Sequence, residues 1–301
     1  MLTKSLSIAA LALTLATGAF AQNGPGLIGN FAILGPSQST AAYDISDSGL
    51  VVGAMGSIGF TYRKGVVTPF VALPVQGLPF AFSQIYGVNN AGDLVGEYFA
   101  LGVDPTGYVS RNGVLTTIAF PDPAATRTIP HDVNNLGHVS GFYHDSTGHT
   151  IGFLLRKGVF EKIEIPNAQY IAILGMNDRD QLVGYYSLEG DYAYTRHGFL
   201  WSQGQFTPVA YPGAEQTEPH GIGGDGTVVG SYTKTVNGLE KRFGFVLRNG
   251  QFETIGIPGV LQNTATGINA RGEISGSYFT FELDFDGNIV DVTGAAWILT
   301  Q

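Results

Sequence analysis

Asn89-Asn90-Ala91-Gly92-Asp93-Leu94-Val95-Gly96, followed by Gly107-Tyr108-Val109-Ser110-Arg111-Asn112-Gly113 and an apolar run closed by Pro121, is written with variation six times along the chain. The second glycine of the motif recurs at Gly53, Gly96, Gly141, Gly184, Gly230 and Gly276. Each unit reads as four short strands. The first is Tyr86 to Asn89, turned at Asn90-Ala91-Gly92, where glycine is free to take positive φ. The second is Leu94 to Phe99 and the third is Tyr108 to Ser110. Asn112-Gly113 is a hairpin signal, and Val114 to Phe120 is the fourth strand. Pro121 ends it, because proline cannot donate to a ladder. A period in the forties, built of short antiparallel strands, is the signature of a propeller blade.

The sixth unit stops after its third strand, Ala295 to Leu299. The missing fourth strand is found at the other end. Gly29-Asn30-Phe31-Ala32-Ile33-Leu34-Gly35-Pro36 matches Gly250 to Pro258. The sequence therefore predicts an all-β, six-bladed propeller over residues 22–301, with the N-terminal strand completing the last blade and removing exposed edges.

Residues 1–21 read as a signal peptide. Lys4 supplies a positive start, Leu6 to Thr17 an apolar stretch, and Ala19-Phe20-Ala21 a small-x-small cleavage site. No stretch is long enough to span a bilayer as a helix. There is no cysteine, which excludes disulfides and thiolate metal sites. The expected product is a secreted monomer, periplasmic or extracellular. A formal charge of −9 gives no electrostatic basis for holding nucleic acid or anionic lipid. Phosphate-loop, nucleophile-elbow and zinc-helix motifs are all missing, and no cofactor is expected.

The repeats resemble a family of bacterial extracellular proteins, the HAF-repeat proteins, named for a His-Ala-Phe motif near the third strand. His197-Gly198-Phe199 is the nearest match, and the other units carry Ile58-Gly59-Phe60, Thr106-Gly107-Tyr108, Ile151-Gly152-Phe153, Phe243-Gly244-Phe245 and Ala295-Ala296-Trp297. The resemblance implies a repeat type and no particular chemistry.

Binding usually resides on the variable connections of a rigid scaffold. Here these are the connections between second and third strands and between units, so the site is expected at that end. The residues beside the channel are Tyr43, Tyr86, His131, Leu174, His220 and Thr266, four of them Tyr or His. Such a ring can stack a sugar face and donate hydrogen bonds, or plug the channel by bonding to itself. The leading expectation is a binding module for a glycan or cell-surface polymer. The alternatives are a polysaccharide hydrolase or lyase using His131 and His220, with Asp122, Glu215 or Glu218 as partner carboxylates, and a structural repeat without a ligand. Asp284, Asp286 and Asn288 cluster oxygens as a calcium loop does, but the stretch reads better as a hairpin turn. His138, His144, His149 and His197 are expected at the surface. The rim is expected to be acidic and tall over units four to six, and low over unit one.

Overall fold

The computed structural model describes residues 17–18, 30–34, 40–191, 195–257, 260–283 and 289–300. Apart from one 3-10 turn at Leu73–Val75, the regular structure is all β. No described helix is long and apolar enough to cross a membrane. Each repeat folds as a four-stranded antiparallel unit. The first contains Thr40–Ile45, Val51–Met55, Ile58–Arg63 and Val66–Phe70. The second contains Phe82–Val88, Leu94–Ala100, Val103–Arg111 and Val114–Ile118. Units three, four and five open with Ala125–Val133, Ala168–Met176 and Gln216–Ile222. The last contains Gln262–Ile268, Ile274–Leu283 and Ile289–Thr300, and its fourth strand is Asn30–Leu34, paired from Asn30↔Thr300 to Leu34↔Ala296.

The recurring glycine has a steric cause. A Cβ on Gly53, Gly96, Gly141 or Gly184 would stand 1.9–2.1 Å from the carbonyl oxygen of Ala41, Gln84, Ile129 or Ala172. No side chain fits there. The first strand presses that carbonyl inward because it carries a bulge just beyond it, with register shifts at Ala42/Asp44, Ile85/Gly87, Pro130/Asp132, Ile173/Gly175, Pro219/Gly221 and Ala265/Gly267. The third strands supply the large core side chains. Phe60, Tyr108, Phe153, Phe199, Phe245 and Trp297 are all fully buried.

The units pack on one another through apolar clusters, such as Leu154, Ile163 and Ile173 of units three and four with Phe199. The last unit packs on the first in the same way, with Ala296 and Ile298 against Ala42, Ile45 and Phe60. The Asn-x-x-Gly turns form a second, polar seam. Each leading Asn takes the backbone N–H four residues on, as in Asp93 N to Asn89 Oδ1 at 2.9 Å. Its Nδ2 donates to the next unit: Asn89 to Asn134 O, Asn134 to Asn177 O, Asn177 to Gly223 O, and Asn269 back to Ser46 O, at 3.1–3.2 Å. The following residue adds another link. Asp47 N donates to Asn90 Oδ1, Asn90 N to Asn135 Oδ1 and Asn135 N to Asp178 Oδ1, each at 2.8 Å, and Ala270 N donates to Asp47 Oδ1 at 2.7 Å. Gly224 and Ala270 stand where side chains would continue the series.

Several details differ from the expectation. In units two, five and six the connections between second and third strands are hairpin arms, not irregular loops. Pairing runs to Ala100↔Val103, to Val236↔Leu239 and to Leu283↔Ile289. In units two and five the tips are tight because Gly102, Asn237 and Gly238 take positive φ. His138 is buried, not superficial, and its Nδ1 lies 2.8 Å from Asp180 Oδ1 of the next unit. His144 and His149 belong to a hairpin, with His144 opposite Thr150. Asp284, Asp286 and Asn288 lie outside the described residues, as do residues 1–21 apart from Thr17–Gly18, which pairs with Ala32 and Phe31.

Candidate functional site

The bulges decide what faces the axis. The extra residue of each is Tyr43, Tyr86, His131, Leu174, His220 or Thr266, so these six side chains sit within the first strands and not ahead of them. The next residue is Gly87, Gly175, Gly221 or Gly267 in four units, because neighbouring backbones meet there. A Cβ on Gly175 would stand 2.4 Å from His220 O. In the other two units it is Asp44 or Asp132. Each aspartate grips its own strand and the next unit. Asp44 accepts Ile45 N at 2.7 Å and Val88 N at 2.9 Å, and Asp132 accepts Val133 N and Met176 N at 2.6 Å.

An axial cavity of about 180 Å³ is lined by Tyr43, Tyr86, His220 and Thr266 at one level, by Asp44 and Asp132 below, and by the Asn90, Asn135 and Asp178 turns at its exit. It lies on the turn side of the six residues, opposite to the end where the sequence places the site. It falls below the roughly 300–1,000 Å³ of most small-molecule pockets. It is too small to enclose a ligand of ordinary size.

On the arm side, rings form a band across four units. Tyr43 and Tyr86 centroids are 5.6 Å apart, and Tyr86 lies flat on His131 at 5.0 Å and 5°. His131 meets Phe142 at 6.3 Å, Phe142 meets Tyr170 at 6.4 Å, and Tyr170 stacks on Tyr185 at 5.7 Å. The Arg196 guanidinium lies 5.2 Å over Tyr185. Two buried carboxylates anchor the band. Glu97 accepts Tyr86 OH at 2.7 Å and a bidentate Arg127 at 2.6–3.0 Å. Glu218 holds Arg196 Nη1 at 2.8 Å and Arg242 Nη2 at 3.1 Å, with His220 Nε2 at 4.0 Å.

Burial sets the protonation states. It lowers His131 to about 4, helped by the nearby His220, and lowers His220 itself to about 4. Both rings are neutral at neutral pH. His131 Nδ1 lies 3.0 Å from Leu174 O, which makes it the protonated nitrogen. Burial pushes Asp44 up to about 6, and burial with the added charge of Asp44 holds Asp132 well above the ordinary carboxylate range. Tyr43 rises to about 12 through burial and the charge of Glu97.

Of the carboxylates expected beside the histidines, only Glu218 arrives. Asp122 lies 3.7 Å from Lys162 Nζ, and Glu215 accepts Thr235 N. Thr266 donates to Ala42 O at 3.0 Å, which occupies its proton in holding the last unit to the first. Sequence reading overlooked Glu97, Arg127, Arg196 and Arg242, whose partners come from different strands and units. It also overlooked Asp44 and Asp132, although two aspartates in a column of glycines were visible. No group of three or more metal-ligating side chains is found among the described residues.

No protein-family model matches the chain, and no curated protein matches it. Among solved structures it is similar to TolB from Acinetobacter baumannii, with a TM-score of 0.53, 9% identity and 87% of this chain covered. The chain spans 64% of the length of that TolB chain. It is less similar to AofleA from Arthrobotrys oligospora, with a TM-score of 0.48, 12% identity and coverage of 86% and 84% of the two chains. For YCF48 bound to a D1 peptide the TM-score is 0.45, with 13% identity and 98% and 100% covered. At these identities the likeness concerns the fold alone, which is all-β and propeller-like.

Proposed function

We propose that this chain is a secreted, six-bladed propeller of the HAF-repeat type that acts as a binding module for a glycan or cell-surface polymer. The blade count rests on the four-stranded units, and on bonds that run from the last unit to the first at Thr266, Asn269 and Ala270. Secretion rests on Lys4, Leu6 to Thr17 and Ala19-Phe20-Ala21.

The observation that carries the binding reading is the aromatic band from Tyr43 to Tyr185, ended by Arg196. Flat rings edged by hydrogen-bonding groups suit the apolar faces and hydroxyl edges of sugars. The small volume of the axial cavity supports a ligand that lies across the arm end rather than one held in the channel. A glycan array run on the purified protein, and on Tyr170→Ala with Tyr185→Ala, is the test. Binding lost in the double variant supports the reading, whereas unchanged binding, or no binding by either protein, refutes it.

The hydrolase or lyase reading is favoured by Glu218 at 4.0 Å from His220 Nε2. Against it, a ring that titrates near 4 is a weak base at neutral pH. Release of reducing ends from a bound glycan would turn the assignment toward catalysis.

A further inference from the structure

The two buried carboxylates at the arm end differ in their charge balance. Glu97 meets one arginine, Arg127, and is neutralised. Glu218 meets two, Arg196 and Arg242. Its side chain is 3% exposed, while those of Arg196 and Arg242 are 34% and 29% exposed. His220 beside them is neutral, so one positive charge is left over. The other carboxylates of these arms make contacts of their own. Asp191 Oδ2 is taken by Leu188 N at 2.6 Å and His197 Nε2 at 3.2 Å. On the unit-five arm, Lys234 stands opposite Lys241 and Glu240 follows at the next pair, with Glu215 bonded to Thr235 N.

A guanidinium surplus inside a chain of net charge −9 has no role in steering anions from a distance. It acts at contact. Arg196 sits over Tyr185 and donates to Glu218 Oε2 at 2.8 Å, so its fork is oriented before any ligand arrives, and Arg242 lies within ion-pair distance of the other carboxylate oxygen. A planar carboxylate is the group that such a fork binds in bidentate fashion. Tyr170 and Tyr185, stacked on each other, form an aromatic wall beside it.

Resting on the glycan-binding reading above, we infer that the Arg196–Glu218–Arg242 cluster is a subsite for a sugar carboxylate, so that the ligand is a uronate-bearing glycan. The cluster binds that carboxylate while the Tyr170–Tyr185 pair borders the ring that carries it.

The test is titration calorimetry with a panel of uronate oligosaccharides and their carboxyl-reduced, neutral counterparts. The acidic form of a binding pair should bind about tenfold or more tightly than the reduced form, in keeping with a charge-assisted hydrogen bond. Arg242→Gln should weaken the acidic form by about tenfold and leave the reduced form unchanged. Glu218→Gln should act in the opposite direction and tighten the acidic form, an outcome that misfolding cannot imitate. Arg63→Gln, at an exposed arginine on the third-strand turn of unit one, should change neither. Equal affinity for the two forms, or a Glu218→Gln variant that binds the acid more weakly, overturns the inference while the binding module stands. Failure of every glycan, acidic and neutral, overturns both. Capture of acidic peptides in place of uronates, with the same dependence on Arg242, would assign the cluster to a protein ligand and refute the sugar.

Discussion

Replacing Gly224 by Asn should stabilise the protein. In three neighbouring turns a side-chain oxygen accepts the backbone N–H of the preceding unit at 2.8 Å, and Asp178 N lacks this acceptor because residue 224 is glycine. A Cβ at Gly224 meets nothing within 4 Å, so a side chain enters without strain. Two terms contribute. Loss of glycine's freedom in the unfolded chain contributes about 0.4–1 kcal/mol. The restored hydrogen bond contributes about 0.5–1.5 kcal/mol, at the lower end for an exposed turn. For a chain of this size about 1 kcal/mol corresponds to roughly 2–4 °C in melting temperature. Asn is preferred to Asp because Asp44, Asp47, Asp132 and Asp178 already line this exit. Calorimetric melting of Gly224→Asn and Gly224→Ala separates the terms, since only Asn can accept the bond. If the two variants melt together, the seam of side-chain links contributes nothing and the reasoning fails.

Gly184→Ala should have the opposite effect, because its Cβ would stand 1.9 Å from Ala172 O. A loss of about 3 kcal/mol in urea unfolding is expected from overpacking against backbone. Two opposed pH terms should be separable by melting between pH 4 and 7. Asp44 holds its proton to about 6 when folded against 3.8, so its contribution is present below pH 4 and is lost as pH rises through 6. His131 and His220 titrate at about 4 when folded against 6.5, so their contribution grows over the same interval. His131→Gln with His220→Gln should therefore leave a protein that loses stability from pH 4 to 6, and Asp44→Asn one that gains; the reverse pattern would refute the assignment. Deleting residues 22–36 should expose the edge of Ile289–Thr300, lower the melting temperature and produce aggregates on size exclusion.

The repeat was legible because its glycines and prolines answer to backbone geometry, and backbone geometry repeats. Gly96 could be counted without knowing that Gln84 O lies against it. The complementary strand at Asn30–Leu34 was legible for the same reason. Tyr43, Tyr86, His131 and His220 were found by position, but the bulge that turns them to the axis leaves no separate mark in the sequence. The arginine–glutamate clusters were not legible. Glu218 lies on a first strand, while Arg196 precedes the third strand of the unit before and Arg242 lies on a third strand of its own unit. His138 was misread because its partner, Asp180, stands where other units have the turn glycine.

The pairing of Asn30 with Thr300 also bears on how the molecule is made. The partners are about 270 residues apart, so a ribosome delivers one of them long before the other. Closing so long a loop in a structureless chain would cost about 5 kcal/mol in entropy. If the intervening units fold as they emerge, each shortens the flexible path, and the two ends are brought together by a scaffold already built. Until then the early strand is an unpaired edge in waiting. Assembly should thus be vectorial, with a late step whose rate depends on the completeness of the preceding units rather than on the local sequence of either end.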